Sequence, residues 1–382
     1  MLRLPLTADT IAPIARGHPW VYADGVRERA PAGTPVQLID ERGRVVGFGL
    51  ADEGAIAVRV LGRHAEDVGR LVGARIAAAA ACRPGLLPLD TDAFRVVNGE
   101  GDGLPGLVID RYGPIAIVRL YTRSWEPYLD EILDAAAQIP GVSSVARRKG
   151  VAIVDGSREP DVETLRGPAI PEVLVVREAG LRFLVRPHVG QKTGLFLDQR
   201  EHRRFAASLA RGRTMANLFG YTGGFSVHAA AAGADRVLTV DIAGPALEDA
   251  KENFRLNGLD PARHVFLAAD VFTWSPEGPL DFIICDPPNL SHDKSADAGA
   301  RNAYRDLAER CGKNVRPGGL LASSSCTARL SMERWELAIR EGLRKTGRWS
   351  WLWRAGEPPD HPTALEHPEG RYLKFAVLRR HL

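Results

Sequence analysis

Cysteine is scarce in this 382-residue chain: Cys82, Cys285, Cys311 and Cys326 are all it has. None stands in a Cys-x-x-Cys pair, which argues against structural zinc and against a disulfide framework and fits a reducing compartment. Long apolar runs are missing too, since none approaches the ~18 residues of a membrane span. Residues 1–10 hold no apolar stretch of the ~7–15 residues a secretory signal needs. The cytoplasm is therefore the expected location, with neither membrane nor metal as partner. Net charge is low, +3 at pH 7, too little to mark a nucleic-acid binder by itself. Lysine is rare, 7 residues against 43 arginines; beside so much Gly and Pro this reads as GC-rich codon usage, not as a preference for phosphate.

What is present is ordinary globular composition, 45% hydrophobic and 25% charged, which excludes disorder and small disulfide-stapled classes. At about 150 residues per domain, two or three domains are expected. Positive charge gathers late in the chain: residues 1–64 carry +1, residues 65–180 carry −4 and residues 181–382 carry +6. An anionic partner would prefer that last stretch. Residues 1–65 read as short strands with glycine punctuation, a small β-barrel. Residues 66–188 read as a compact α+β unit. In the remaining domain, residues 189–382, the texture changes from Gln199 onward: strands are expected at 214–219, 236–240, 264–268, 282–285 and 320–324. Helices at 199–210, 225–232, 246–256 and 300–315 alternate with them. Such alternation predicts an α/β fold, a doubly wound, mostly parallel Rossmann-like sheet. Ligands of such sheets sit beyond the carboxyl ends of the strands, so chemistry is sought there.

After the first of these strands comes Phe219-Gly220-Tyr221-Thr222-Gly223-Gly224, a glycine-rich turn opening a helix. Glycine lets backbone approach a ligand closely. The second strand ends at Asp241-Ile242, where a carboxylate can accept both hydroxyls of a ribose. The third runs into Asp270-Val271, which suits the amino group of adenine through Asp270 and a ring nitrogen through a backbone N–H. Together they describe an adenosine site. A pyrophosphate would need an open helix N-terminus, but Tyr221-Thr222 crowds the turn. A ligand without pyrophosphate, such as S-adenosylmethionine (SAM), fits better.

The strand 282–285 runs into Asp286-Pro287-Pro288-Asn289. Two prolines remove two N–H donors and leave carbonyls and a carboxylate as acceptors for the amine or ring N–H of a base. Asn289 stands where an aromatic would stack on a flipped adenine, which disfavours adenine N6 as the target. The next strand ends in Ser323-Ser324-Ser325-Cys326-Thr327, and neighbouring strands lie ~4.8 Å apart. Cys326 and Asp286 can then face one ring. A thiolate adding to carbon 6 of a pyrimidine makes carbon 5 nucleophilic enough to take a methyl group. Between them, residues 289–304 carry Lys294, Arg301 and Tyr304 as candidate substrate contacts.

These motifs resemble the bacterial ribosomal large subunit methyltransferase I family over nearly the whole chain. Arg16-Gly17-His18-Pro19-Trp20-Val21 is similar to the opening of its PUA domain, and Gly99 to Leu107 followed by Asp110-Arg111-Tyr112 to its central-domain signature. Lys192-Thr193-Gly194, Leu197-Asp198-Gln199-Arg200 and Tyr221 to Phe225 resemble its cofactor-side motifs, and His367-Pro368-Glu369-Gly370 with Tyr372-Leu373-Lys374 its C-terminal ones. The resemblance implies a PUA-like RNA-binding domain, a central α+β domain and a class I methyltransferase domain. It also implies SAM as cofactor, with Gln199 and Arg200 on its side, 23S ribosomal RNA as partner, 5-methylcytosine as product and Cys326 as nucleophile. Methylation of another base position such as guanine N7, and a non-catalytic RNA-binding assembly factor, stay open. So does the oligomeric state, a homodimer included.

Overall fold

The computed structural model describes residues 1–149, 162–188, 195–290 and 297–382. Lys192-Thr193-Gly194 and Lys294 lie outside them. The chain divides into two compact units. One comprises residues 1–179, 186–193 and 359–370, the other residues 180–185, 194–358 and 371–382.

In the first unit, strands β1 (Leu2–Pro5), β2 (Trp20–Tyr22), β3 (Pro35–Ile39), β4 (Val45–Ala51) and β5 (Ile56–Gly62) form one sheet in the order β1-β3-β4-β5-β2. Its pairs are antiparallel except β1 with β3. Helix α1 (Ala8–Arg16), unforeseen from the sequence, buries Ile14 and ends at Gly17, whose φ of +114° suits glycine. A second sheet follows, with β6 (Ala93–Asn98), β7 (Leu107–Tyr112), β8 (Ile115–Leu120), β9 (Ser144–Arg148) and β10 (Val162–Arg166) in the order β10-β9-β8-β7-β6. Helices α2 (Val68–Cys82) and α3 (Leu129–Ala137) share its core through Val72, Ile76, Ile132 and Leu133. The 359–370 segment belongs to this unit although it comes late in the chain. Asn98 Nδ2 donates to Pro362 O at 2.8 Å, and His367 packs edge-on to Trp20 with ring centroids 4.2 Å apart.

The second unit carries the expected α/β sheet. Its strands are β13 (Thr214–Leu218), β14 (Arg236–Asp241), β15 (Val265–Ala268), β16 (Leu280–Cys285), β17 (Val315–Ser325), β18 (Trp349–Ala355) and β19 (Lys374–Arg380); β11 (Leu174–Glu178) and β12 (Leu181–Val185) precede them in the chain. The order is β15-β14-β13-β16-β17-β19-β18. The first five run parallel, and β19 enters antiparallel to both its neighbours. From β13 the chain moves outward through β14 to β15, then returns to the other side of β13 with β16. The order reverses between β13 and β16, so the ligand crevice opens at their carboxyl ends. Helices α4 (Arg200–Ser208), α5 (Gly224–Ala231), α6 (Gly244–Leu256), α7 (Asp297–Asn314) and α8 (Met332–Leu343) complete the unit. Among the described residues no helix is long and apolar enough to cross a membrane.

Helix α8 and strands β18 and β19 extend beyond the expected elements. The helix had a readable signal, because its buried residues Trp335, Ala338, Ile339, Gly342 and Leu343 follow helical spacing. The last strand reads as a continuous apolar run, Phe375 to Leu378, fully buried, and it lies inside the sheet between β17 and β18.

Candidate active site

At the end of β13 the chain turns sharply. Phe219 and Tyr221 adopt φ of +57° and +47°, conformations that cost a non-glycine residue ~1–3 kcal/mol. Backbone hydrogen bonds hold them: Gly220 N–H donates to Val240 O at 3.0 Å and Tyr221 N–H to Asp241 Oδ2 at 2.8 Å. Between them Gly220 presses on β14 so closely that a Cβ would fall 2.6 Å from Thr239 Cγ2. The turn therefore lies against the end of β14, and α5 starts immediately after it.

Asp241 closes β14. Its other oxygen accepts Ala243 N–H at 2.8 Å, so each carboxylate oxygen serves one backbone donor and keeps a lone pair for a ligand hydroxyl. Asp270 is exposed and spends Oδ1 on Phe272 N–H at 2.9 Å, which fixes the turn after β15. Two large apolar side chains beside these acids are unusually bare: Ile242 is 76% exposed and Phe272 42%. Beneath the turn, the buried Asn217 Oδ1 has no partner among the described residues. A cradle that excludes a Cβ, a carboxylate with spare acceptor capacity and uncovered apolar surface fit the adenosine half of SAM. Phe272 carries no motif in the sequence and was missed there.

The reacting half is built by β16 and β17. They pair in parallel with Cys285 opposite Ser323, so Asp286 and Cys326 leave adjacent strand ends. The Asp286 carboxylate is held from the side: Gln199 Nε2 donates to its two oxygens at 3.1 and 3.2 Å and to Ser324 Oγ at 2.9 Å. The Gln199 amide oxygen can only accept, so the His202 Nδ1 that lies 2.5 Å from it must donate. His202 is stacked on Phe375 with ring centroids 4.3 Å apart, and burial drives its pKa down to about 4. A neutral imidazole thus orients the amide that orients Asp286.

Cys326 is half-buried and follows three buried serines. The next residue, Thr327, donates its hydroxyl to Asn289 Oδ1 at 3.1 Å, which ties the cysteine loop to the Pro-Pro turn. Tyr304 Oη lies 3.2 Å from the same Thr327 hydroxyl. Burial pushes the Tyr304 phenol up, so it stays protonated and donates. From β19 the buried Lys374 sends Nζ to Thr327 O and Tyr372 O, each at 2.9 Å. Cys285 lies apart, buried against Cys311 with its thiol pushed up, which suits packing and not attack.

Several expected residues take other tasks. Gln199 and Arg200 are both buried, and Gln199 positions Asp286 where a cofactor contact was anticipated. Tyr304 is interior and supports the cysteine loop, where an RNA contact beside the active site was anticipated. Arg301 Nη2 donates to both carboxylate oxygens of Glu341 on α8, each at 2.9 Å, which joins two helices. Thr222, Gly223 and Val271 are packed into the turn region and the core, Pro287 is buried, and Pro288 and Asn289 are exposed at the rim. His202, Ser324, Thr327 and Lys374 were not foreseen as part of the site. Ser324 and Thr327 flank Cys326 in the chain, whereas His202 and Lys374 stand far from it in sequence, and nothing local signals that they converge there.

Comparison with known proteins agrees with this architecture. Residues 99–372 match the family model described as S-adenosylmethionine-dependent methyltransferase, and residues 5–63 match that of a PUA-like domain. A ribosomal RNA large subunit methyltransferase of Deinococcus radiodurans is 39% identical, covering 99% of this chain and 97% of its own. The ribosomal RNA large subunit methyltransferase I of Tolumonas auensis is 33% identical, covering 98% of each. Among solved structures, a Streptococcus mutans protein described as a SAM-dependent methyltransferase superposes with a TM-score of 0.86 at 24% identity, covering 99% of this chain and all of its own. With one model matched across most of its length and relatives matched end to end, this chain belongs to the S-adenosylmethionine-dependent methyltransferases, in the group that includes the ribosomal RNA large subunit methyltransferases I.

Proposed function

We propose that this chain methylates carbon 5 of a cytosine in 23S ribosomal RNA, with Cys326 as covalent nucleophile. Residues 189–382 act as the methyltransferase domain, residues 1–65 as a PUA-like RNA-binding domain and residues 66–188 as the domain between. The large-subunit RNA substrate is carried over from the names of the full-length relatives. The observation that carries the chemistry is the neighbouring of Asp286 and Cys326 at the ends of two paired parallel strands, beside the cofactor turn.

Carbon 5 of cytosine is a poor nucleophile. The Cys326 thiolate forms a bond to carbon 6 and shifts the ring electrons toward carbon 5. Asp286, held by Gln199, assists by hydrogen bonding at N3 or by accepting from the exocyclic amine. Bound SAM supplies the methyl group as an electrophile. Loss of the carbon 5 proton to a base then restores the ring double bond and expels the thiolate.

An RNA with 5-fluorocytosine at the target tests this sequence of events, since fluorine cannot leave as a proton does. A SAM-dependent protein–RNA adduct is expected, absent in Cys326→Ala and retained in Cys285→Ala. Methylation by Cys326→Ala at a comparable rate would eliminate the nucleophile and favour transfer to a nitrogen held by Asp286. The target nucleotide is found by mass mapping ribosomal RNA from a strain lacking this protein.

A further inference from the structure

Lys374 is out of place for a lysine. It is 2% exposed, on a strand inside the sheet, and stands opposite Ser325 in the antiparallel register of β17 and β19. Burying an ammonium is costly unless its charge is used. Two carbonyls satisfy part of its donor capacity, those of Thr327 and Tyr372. Hydrogen bonding to carbonyls alone requires no charge, so the choice of a cation calls for anions nearby, and Glu357 and the Cys326 thiolate are the two that favour its charge.

We infer that Lys374 is a positioning residue that holds the Cys326 loop and stabilises the Cys326 thiolate. The inference rests on the proposal that Cys326 is the nucleophile. The carbonyl that Lys374 grips belongs to the residue after Cys326, so the ammonium and the thiol are fixed on one short stretch of backbone. Burial lowers the basicity of Lys374, while the charges of Glu357 and Cys326 raise it. Such coupling is reciprocal, so the ammonium favours the thiolate as much as the thiolate favours the ammonium. Among the described residues, Asp286, whose negative charge opposes a thiolate, and Tyr304 from α7, which stays neutral, also belong to this neighbourhood. Glu357 faces Lys374 from the segment after β18 and also accepts Leu373 N–H at 2.8 Å, which steadies the start of β19.

The rate of Cys326 alkylation by iodoacetamide, followed by peptide mass spectrometry on the full chain across pH, reads the thiolate directly and needs no turnover. The wild type is expected to reach half its maximal rate below the ~8.5 of a free thiol. In Lys374→Met the midpoint should rise by about one pH unit, with roughly tenfold slower alkylation at neutral pH, and Lys374→Arg should bring it back toward the wild type. Unchanged SAM affinity by calorimetry shows that each variant is folded. An unshifted midpoint in folded Lys374→Met overturns the inference. Should that variant not fold, a wild-type midpoint at or above the free-thiol value overturns it equally. Methylation surviving in Cys326→Ala would instead sink the nucleophile while leaving the alkylation result interpretable.

Discussion

Replacing Asp241 by alanine removes one carboxylate that does two jobs. In the protein alone it accepts Tyr221 N–H and Ala243 N–H, both at 2.8 Å. Hydrogen bonds to a charged group contribute about 1.5–3 kcal/mol each. The first of them restrains a turn in which Phe219 and Tyr221 both hold positive φ, so its loss lets that strain relax into a different loop. In the proposed cofactor site the remaining lone pairs would take the ribose hydroxyls of SAM. Two such bonds at the lower figure amount to about 3 kcal/mol, or roughly a hundredfold in affinity. Urea unfolding should therefore show lower stability without SAM, and calorimetry should show the affinity loss at a temperature where the variant is folded. Asp241→Asn sharpens the comparison. Its single acceptor oxygen can serve one backbone donor, while its amide N–H2 meets the other donor head-on, so it should fall between wild type and alanine in stability. Folded Asp241→Ala that binds SAM within about threefold of wild type would refute the assignment of the ribose to this carboxylate.

Two further outcomes follow from the same geometry. His202 has a pKa of about 4 when folded against 6.5 unfolded, so the unfolded chain binds the extra proton between those values and stability rises with pH across that window. Acidifying from pH 7 to 4 should cost about 3 kcal/mol through this group, and His202→Phe, which keeps the ring against Phe375, should flatten that part of the pH dependence in urea titrations. Equal slopes for the two proteins would show that His202 does not titrate as its burial demands. Arg301→Ala should lower the melting temperature by at most about 1–2 °C, because the half-exposed pair with Glu341 is worth up to about 1 kcal/mol, and should leave RNA affinity unchanged. A tenfold loss of RNA binding at unaltered stability would mean that Arg301 leaves Glu341 for phosphate.

Local chemistry made much of this protein legible in its sequence. The alternation of helix and strand from Gln199 onward determined an α/β sheet, since periodicity depends only on which side chains must be buried. The glycine turn at 219–224, the acids ending β14 and following β15, and the Asp-Pro-Pro and Cys326 strand ends could be located because loop chemistry at strand ends is written in consecutive residues. Tertiary structure decided what lay apart. Only the pairing of β16 with β17 sets Asp286 and Cys326 at adjacent strand ends, and only the return of β19 between β17 and β18 brings Lys374 to the carbonyl of Thr327 in the cysteine loop. Gln199, which the family resemblance put on the cofactor side, and Tyr304, which looked like a substrate contact, have other partners here: one orients Asp286 and the other props the cysteine loop. Polar residues at a strand end can face a ligand or face one another. Which they do depends on partners distant along the chain, brought close by strand order and register.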